Sequence, residues 1–339
     1  MPLTIVALNL AAHDRAFDPL RALGGVAIIH ADYRSSWADV SARRSGIAPT
    51  QPETISDSLR AALREADVVF GFVVPRDLPR LAPRLRWVAT PATGIDHMRG
   101  SGVLESEILL STVGGRFAPV IAEHVFAGIL HFAHRLGTFA EQQRQHVWKM
   151  TRITRLAGRT LGVVGVGAIG TAVAALGHAF DMHVLGVGRG DPRGRHVPHV
   201  DRLLHRLQLH ELLAAADYVV IAVADTPDTH QLIGAAELAA MPPHAVLVNV
   251  ARGTVVDEAA LASVLRDRRI AGAMLDVVAH EPLAADSALW DLPNVLLTPH
   301  VATSTEDYLP QAIALFAEDV RRFQRGERLQ HPFDRQRGY

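Results

Sequence analysis

A chain of 339 residues, 49% hydrophobic and 20% charged, is long enough for two core-bearing domains and too apolar for disorder. Lys+Arg 34 against Asp+Glu 35 gives a net charge of -1, so the electrostatic footprint of a nucleic-acid or anionic-membrane binder is missing. Cysteine is absent, which removes disulfides, thiolate metal ligands and cysteine nucleophiles and suits a reducing cytoplasm.

The opening MPLTIVALNL has no cationic stretch ahead of its apolar run and is followed by His13 and Asp14, so it reads as a strand and not a secretory leader. Apolar, β-rich runs then recur at residues 26–29, 68–73, 87–90 and 108–113, with helical spacing between them, as in 56–65. Residues 32–52, with Ser35, Ser36, Ser41, Ser45, Pro49 and Pro52, read as a surface loop with some helix. Residues 120–137 place apolar side chains at 121, 125, 129, 132 and 136, the pattern of a long helix joining two lobes. A polar segment, 138–156, contains Trp148 and leads into a second series of strand runs at 161–165, 183–187, 218–223, 245–250, 273–277 and 295–298. Such alternation means parallel α/β architecture, here two doubly wound sheets. Residues 305–324 form an amphipathic helix too short for a domain and expected to return to the first lobe.

Residues 161–180 are nearly uncharged and about long enough for a bilayer, but Gly162, Gly165, Gly167 and Gly170 crowd their first half. Those glycines suit a strand, a tight turn and a new helix, not a membrane span. The turn itself reads Gly165-Val166-Gly167-Ala168-Ile169-Gly170, a G-x-G-x-x-G between strand and helix. Gly165 permits the tight turn, Gly167 the approach of backbone N–H groups to a pyrophosphate, and Gly170 the packing of helix on strand. The helix N-terminus, with Ala168 and Ile169, offers the positive dipole end to the phosphates. The next strand ends at Gly188-Arg189, with Arg193 and Arg195 nearby and no carboxylate at the strand end to take a ribose 2′-hydroxyl. An arginine fork suits a 2′-phosphate, so NADP is preferred to NAD.

Three further segments lie at strand ends of one sheet edge, where open α/β sheets keep their ligands. They are VLVNVARGTVVDEAAL with Arg252, AGAMLDVVAHEPL with Asp276 and Glu281, and LPNVLLTPHVATST with His300. His124, His131 and His134 fall at helical spacing and His196 and His199 flank Val197-Pro198, but no carboxylate or cysteine completes a zinc pattern, so no metal is expected.

In these segments the sequence resembles the D-isomer-specific 2-hydroxyacid dehydrogenases, near their glyoxylate/hydroxypyruvate reductase branch. The resemblance runs through IAEHVFAGILHFAHRL, the Trp148 segment into LAGRTLGVVGVGAIG, the three segments above and the closing RGY. It implies a flavodoxin-like substrate domain of residues 1–116 plus 304–339, a Rossmann coenzyme domain of 117–303, and a cleft between them. Carried over by position, Arg252 binds the substrate carboxylate, His300 is the acid/base and Glu281 its carboxylate partner. Asp276 orients the nicotinamide carboxamide, Val250 joins the coenzyme contacts, and Thr93 and Gly94 offer backbone N–H groups to the substrate. Ala92-Thr93-Gly94 departs from the family where a second glycine is common, and Ala222 and Ala224 replace a frequent His and Pro. The physical reading agrees, because reducing a 2-keto acid needs a hydride at carbon and a proton from a group that titrates near neutrality. The implied protein is a cytoplasmic homodimer, joined through the helix after Pro119 and the arm to Trp148, that reversibly reduces a small 2-keto acid to the D-2-hydroxy acid. Alternatives are a relative acting on a phosphorylated acid or phosphite, and a corepressor-like dinucleotide sensor.

Overall fold

The computed structural model describes residues 1–10, 15–33, 35–44, 53–336 and 338. His13, Asp14, Ser45, Pro49, Pro52, Arg337 and Tyr339 therefore lie outside the described residues. The chain divides into two compact units, Met1–Gly115 with Ser304–Tyr339, and Arg116–Thr303.

The first unit is built on β1 (Leu3–Leu8), β2 (Val26–Ala31), β3 (Val68–Phe70), β4 (Trp87–Ala89) and β5 (Leu109–Ser111), all parallel in the order β2-β1-β3-β4-β5. Short β-branched runs such as VVF suit strands covered on both faces. The helix Asp57–Glu65 starts where the Ser56 hydroxyl accepts the Leu59 N–H, satisfying one of the orphan donors of its first turn. Of residues 32–52, the stretch Trp37–Arg44 is helix. The late helix Tyr308–Gln324 belongs to this unit: the Phe316 ring stacks on Phe70 at 4.4 Å and lies 5.1 Å from Trp87. A chain segment after that helix bridges Pro332 to Ser111 beside β5.

The second unit carries seven parallel strands: β6 (Thr160–Val164), β7 (His183–Gly188), β8 (Arg202–His205), β9 (Tyr218–Ile221), β10 (Val246–Asn249), β11 (Gly272–Leu275) and β12 (Val295–Leu297). Their order is β12-β11-β10-β9-β6-β7-β8. Alternate side chains enter opposite cores, with Val219 and Ile221 in one and Tyr218 and Val220 in the other, as the two-residue period of a strand demands. The order reverses between β6 and β9, the switch point at which doubly wound sheets open a crevice at their carboxyl ends.

Two elements differ from expectation. β8 has no counterpart among the expected strands, because a four-residue edge strand with Arg202 and His205 at its ends offers almost no apolar alternation. The long helix at 120–137 is instead Ala118–Ala133, followed by a second helix, Leu136–Arg144. Arg135 stands between them in the left-handed region, φ 54°. The left-handed residue is neither glycine nor asparagine, and the nearest glycine, Gly137, lies inside the second helix, so periodicity runs through the break.

Candidate active site and coenzyme turn

The glycine turn is shaped for close approach. Gly165 sits at φ 101°, and a Cβ there would lie 2.6 Å from the Ala222 carbonyl oxygen on the neighbouring strand end. A Cβ at Gly170 would fall 1.9 Å from the Gly165 carbonyl oxygen, so only glycine lets the helix Ala168–Ala179 begin this near β6. Above Gly167 there is open space, and no side chain caps the helix it starts. Exposed residues at Gly167 and Ala168, an uncapped helix start and the space above Gly167 fit a dinucleotide pyrophosphate. Val250 is buried beside this edge, its N–H directed to the Ile221 carbonyl at 3.4 Å.

At the end of β7 the charge pattern is less simple than three arginines. Asp191 takes the Arg193 guanidinium through both carboxylate oxygens, at 2.6 to 3.0 Å. A carboxylate does stand at this corner, and it occupies one of the three cations. Arg195 folds back to donate to the Arg189 carbonyl at 2.7 Å. Arg189 itself is exposed at the strand end.

The strand ends β10, β11 and β12 are neighbours, so the turns after them share one edge. Asn249 closes the first: its side chain donates to the Arg252 carbonyl at 3.0 Å and accepts the Ala251 N–H at 3.0 Å. Gly253 packs against the segment after β11, because a Cβ there would be 1.9 Å from the Val278 carbonyl carbon. The Glu258 carboxylate accepts the Ala279 N–H at 2.8 Å and fixes the same segment. It leads directly to Glu281, whose carboxylate lies 2.9 and 3.0 Å from His300 Nδ1. A carboxylate only accepts, so Nδ1 carries the hydrogen of that pair.

His300 is held in an uncommon backbone state, φ 55°. Its N–H is shared between the carbonyls of Asp276 and Thr298, at 2.8 and 2.9 Å. The Asp276 carboxylate accepts the Val301 N–H at 2.9 Å, the Ala302 N–H at 3.1 Å and the Thr298 hydroxyl at 2.7 Å. Burial opposes the charge of Asp276, but those donors together with His124 outweigh it and hold the carboxyl below the usual aspartate range. His124, from the helix Ala118–Ala133, places Nε2 3.1 Å from Thr298 Oγ1 and 3.4 Å from Asp276 Oδ1. Among the described residues no group of three potential ligands for a metal occurs, and no helix is long and apolar enough to cross a membrane.

The first unit presents Thr93 and Gly94 on the turn after β4. The Thr93 hydroxyl donates to the Gly114 carbonyl at 3.1 Å. Tyr308 donates its hydroxyl to the Pro91 carbonyl at 2.6 Å, and burial pushes that phenol up to about 12, so it stays a donor throughout the physiological range. Asn249, Glu258, Thr298, Tyr308 and the contact made by His124 were not among the expected site residues. An asparagine closing the otherwise apolar run VLVN is a sequence signal that could have found Asn249.

A profile of the D-isomer specific 2-hydroxyacid dehydrogenase NAD binding domain matches residues 126–302, the stretch that carries the glycine turn, Arg252, Asp276, Glu281 and His300. The chain belongs to the D-isomer-specific 2-hydroxyacid dehydrogenase family. Glyoxylate/hydroxypyruvate reductase B of Pectobacterium carotovorum subsp. carotovorum is 36% identical over 253 residues, 73% of this chain and 78% of that protein. D-3-phosphoglycerate dehydrogenase of Mycobacterium leprae is 34% identical over 274 residues, 79% of this chain and 51% of that protein, so this dehydrogenase chain spans about half that relative's length. The structure of a D-isomer specific 2-hydroxyacid dehydrogenase from Xanthobacter autotrophicus Py2, in complex with NADPH and MES, superposes with a TM-score of 0.79 at 27% identity, covering 100% of both chains. The protein is thus an oxidoreductase of this family, with an NAD-binding domain in its second unit.

Proposed function

We propose that this dehydrogenase reduces a small 2-keto acid to the D-2-hydroxy acid, reversibly, with NADPH preferred to NADH. The observation that carries the proposal is the His300 to Glu281 pair on the same sheet edge as Arg252, in a unit whose glycine turn fits a dinucleotide. With Nδ1 directed to Glu281, His300 Nε2 gives a proton to the carbonyl oxygen during reduction and takes it back from the hydroxyl in oxidation. Glu281 fixes the tautomer and stabilises the imidazolium that oxidation forms. Arg252 grips the substrate carboxylate with its planar fork and polarises the adjacent carbonyl. Thr93 and Gly94 supply backbone N–H groups of the kind a carboxylate accepts. Hydride exchange at the substrate carbon is the chemistry a bound nicotinamide supplies. Gly165, Gly167, Ala168, Ile169 and Gly170 would hold its pyrophosphate, and Asp276 Oδ2, which takes one N–H, would turn to the carboxamide.

The direct test is the initial rate of NADPH and NADH loss with glyoxylate, hydroxypyruvate, pyruvate, a branched 2-keto acid and 3-phosphohydroxypyruvate. Turnover of one of the unphosphorylated acids supports the proposal. Turnover confined to the phosphorylated acid would favour the second reading, to which the 34% identity with a phosphoglycerate dehydrogenase points. Silence with every acid would sink both.

Arg189 is assigned to the 2′-phosphate of NADPH. Losing one charge-assisted contact of this kind costs about 1.5 to 3 kcal/mol, so Arg189→Ala is expected to weaken NADPH binding roughly 10- to 100-fold and NADH binding less than about twofold. Equal losses for the two coenzymes, read by fluorescence titration, would remove the assignment.

Partner and place follow the same reading. Val147, Trp148, Met150 and Ile153 are exposed on the arm after Leu136–Arg144, Trp148 entirely so. An apolar arm of this kind suits a second copy of the chain in a cytoplasmic homodimer. Light scattering at about ten micromolar should give twice the chain mass of 36.7 kDa, and a monomer mass would refute the dimer.

A further inference from the structure

His124 lies on a helix that runs along β11 in register. A Cβ on Gly128 would fall 1.9 Å from the Met274 sulfur, and a Cβ on Gly272 would fall 2.5 Å from the Phe132 ring. Helix positions 124, 128 and 132 therefore match sheet positions 276, 274 and 272. The match is metrical, since four helical residues rise about 6 Å and two strand residues about 6.6 Å. Two of the three rungs are apolar and close only because one partner in each is glycine. The third rung is polar: His124 meets Asp276 and Thr298 just beyond the end of β11.

The hydrogen bonds around Asp276 order the donors and acceptors on this rung. The Asp276 carboxylate takes the Val301 and Ala302 N–H groups and accepts the Thr298 hydroxyl, so Thr298 Oγ1 has only lone pairs to offer His124. His124 Nε2 must then carry a hydrogen. It is a donor to Thr298, with the Asp276 carboxylate at the edge of its reach. Thr298 and Asp276 in turn bind the backbone at 300, 301 and 302. That backbone is where His300 sits at φ 55°, a conformation that a histidine keeps only while its surroundings impose it.

We infer that His124 is a positioning residue for the reaction: its Nε2–H locks the Thr298 to Asp276 hydrogen bond, and through it the left-handed turn that aims His300. The inference rests on the reading of His300 as the acid/base. His124 touches neither substrate nor coenzyme in this account and acts through Thr298 and Asp276.

The test compares His124→Leu, which removes the donor, with His124→Gln, which offers an amide N–H at similar reach, and with Thr298→Val, which removes the hydroxyl at nearly constant volume. Hydrogen exchange followed by mass spectrometry on the peptide covering residues 298–303 reads the turn directly, without turnover. Exchange there should quicken about tenfold or more in His124→Leu and Thr298→Val and stay near wild type in His124→Gln. Steady-state kinetics with glyoxylate and NADPH should show kcat falling about tenfold or more in the first two variants, with KM within about twofold, and largely recovered in His124→Gln. Unchanged exchange in both His124→Leu and Thr298→Val would overturn the inference, and so would a glutamine variant no better than leucine, or faster exchange with unaltered kcat. If the wild type turned over no 2-keto acid while exchange behaved as expected, the fault would lie with the functional reading, and the link from His124 to the turn would stand.

Discussion

His300→Ala is expected to lower kcat for 2-keto acid reduction by about 10² to 10⁴, the usual worth of a positioned acid/base, while NADPH binding changes by less than about twofold. The expectation separates two roles of one sheet edge. Pyrophosphate contacts are assigned to the glycine turn after β6, at the switch point, whereas His300 follows β12, an edge strand four positions away in the order. Removing the imidazole leaves hydride chemistry available but makes water the only proton source at the carbonyl oxygen. Stopped-flow reduction under saturating NADPH, paired with a fluorescence titration of the coenzyme, gives both quantities from one preparation. A variant within about tenfold of wild type would place the proton donor elsewhere.

The second large effect belongs to Arg252. Arg252→Ala should cost about 10² to 10³ in kcat/KM for the 2-keto acid, the range expected when a buried charge pair loses one partner. Arg252→Lys should recover only part of this, because an ammonium supplies charge but not the planar fork that holds a carboxylate by both oxygens. A sharper reading comes from a substrate whose carboxylate is replaced by a primary amide. Wild type should discriminate strongly against the amide, and Arg252→Ala should lose most of that discrimination. Were the alanine variant to keep the preference for the acid, another group would be holding the carboxylate.

Much of the framework was legible because it is written in local patterns. Parallel strands covered on both faces must be apolar along their length, and VVF, YVVI and VLVN say so plainly. The glycine turn is legible for the same reason, since Gly165 and Gly170 answer contacts that a Cβ would block and Gly167 keeps the space above it open. Helix ends were harder: Arg135 takes a left-handed turn with no glycine to announce it. The neutralisation of Arg193 by Asp191 was within reach of sequence, two residues apart, but the expectation counted cations without pairing them. His124 was out of reach. It meets Thr298 across 174 residues, and as one of 18 histidines it carries no mark that separates it from its neighbours at 131 and 134. Where the chain supplies two halves of one hydrogen bond from distant segments, only the fold joins them.

The discontinuity of the first unit bears on how the protein is made. Its sheet is complete once residue 111 has been synthesised, yet Phe70 and Trp87 wait for Phe316 to cover them. In between, the whole second unit, Arg116–Thr303, emerges from the ribosome as one uninterrupted stretch. At ordinary translation rates the delay is on the order of tens of seconds. During that interval the unit begun first is the one still unfinished, its aromatic surface uncovered, because its closing helix, Tyr308–Gln324, is synthesised only after the whole of the second unit.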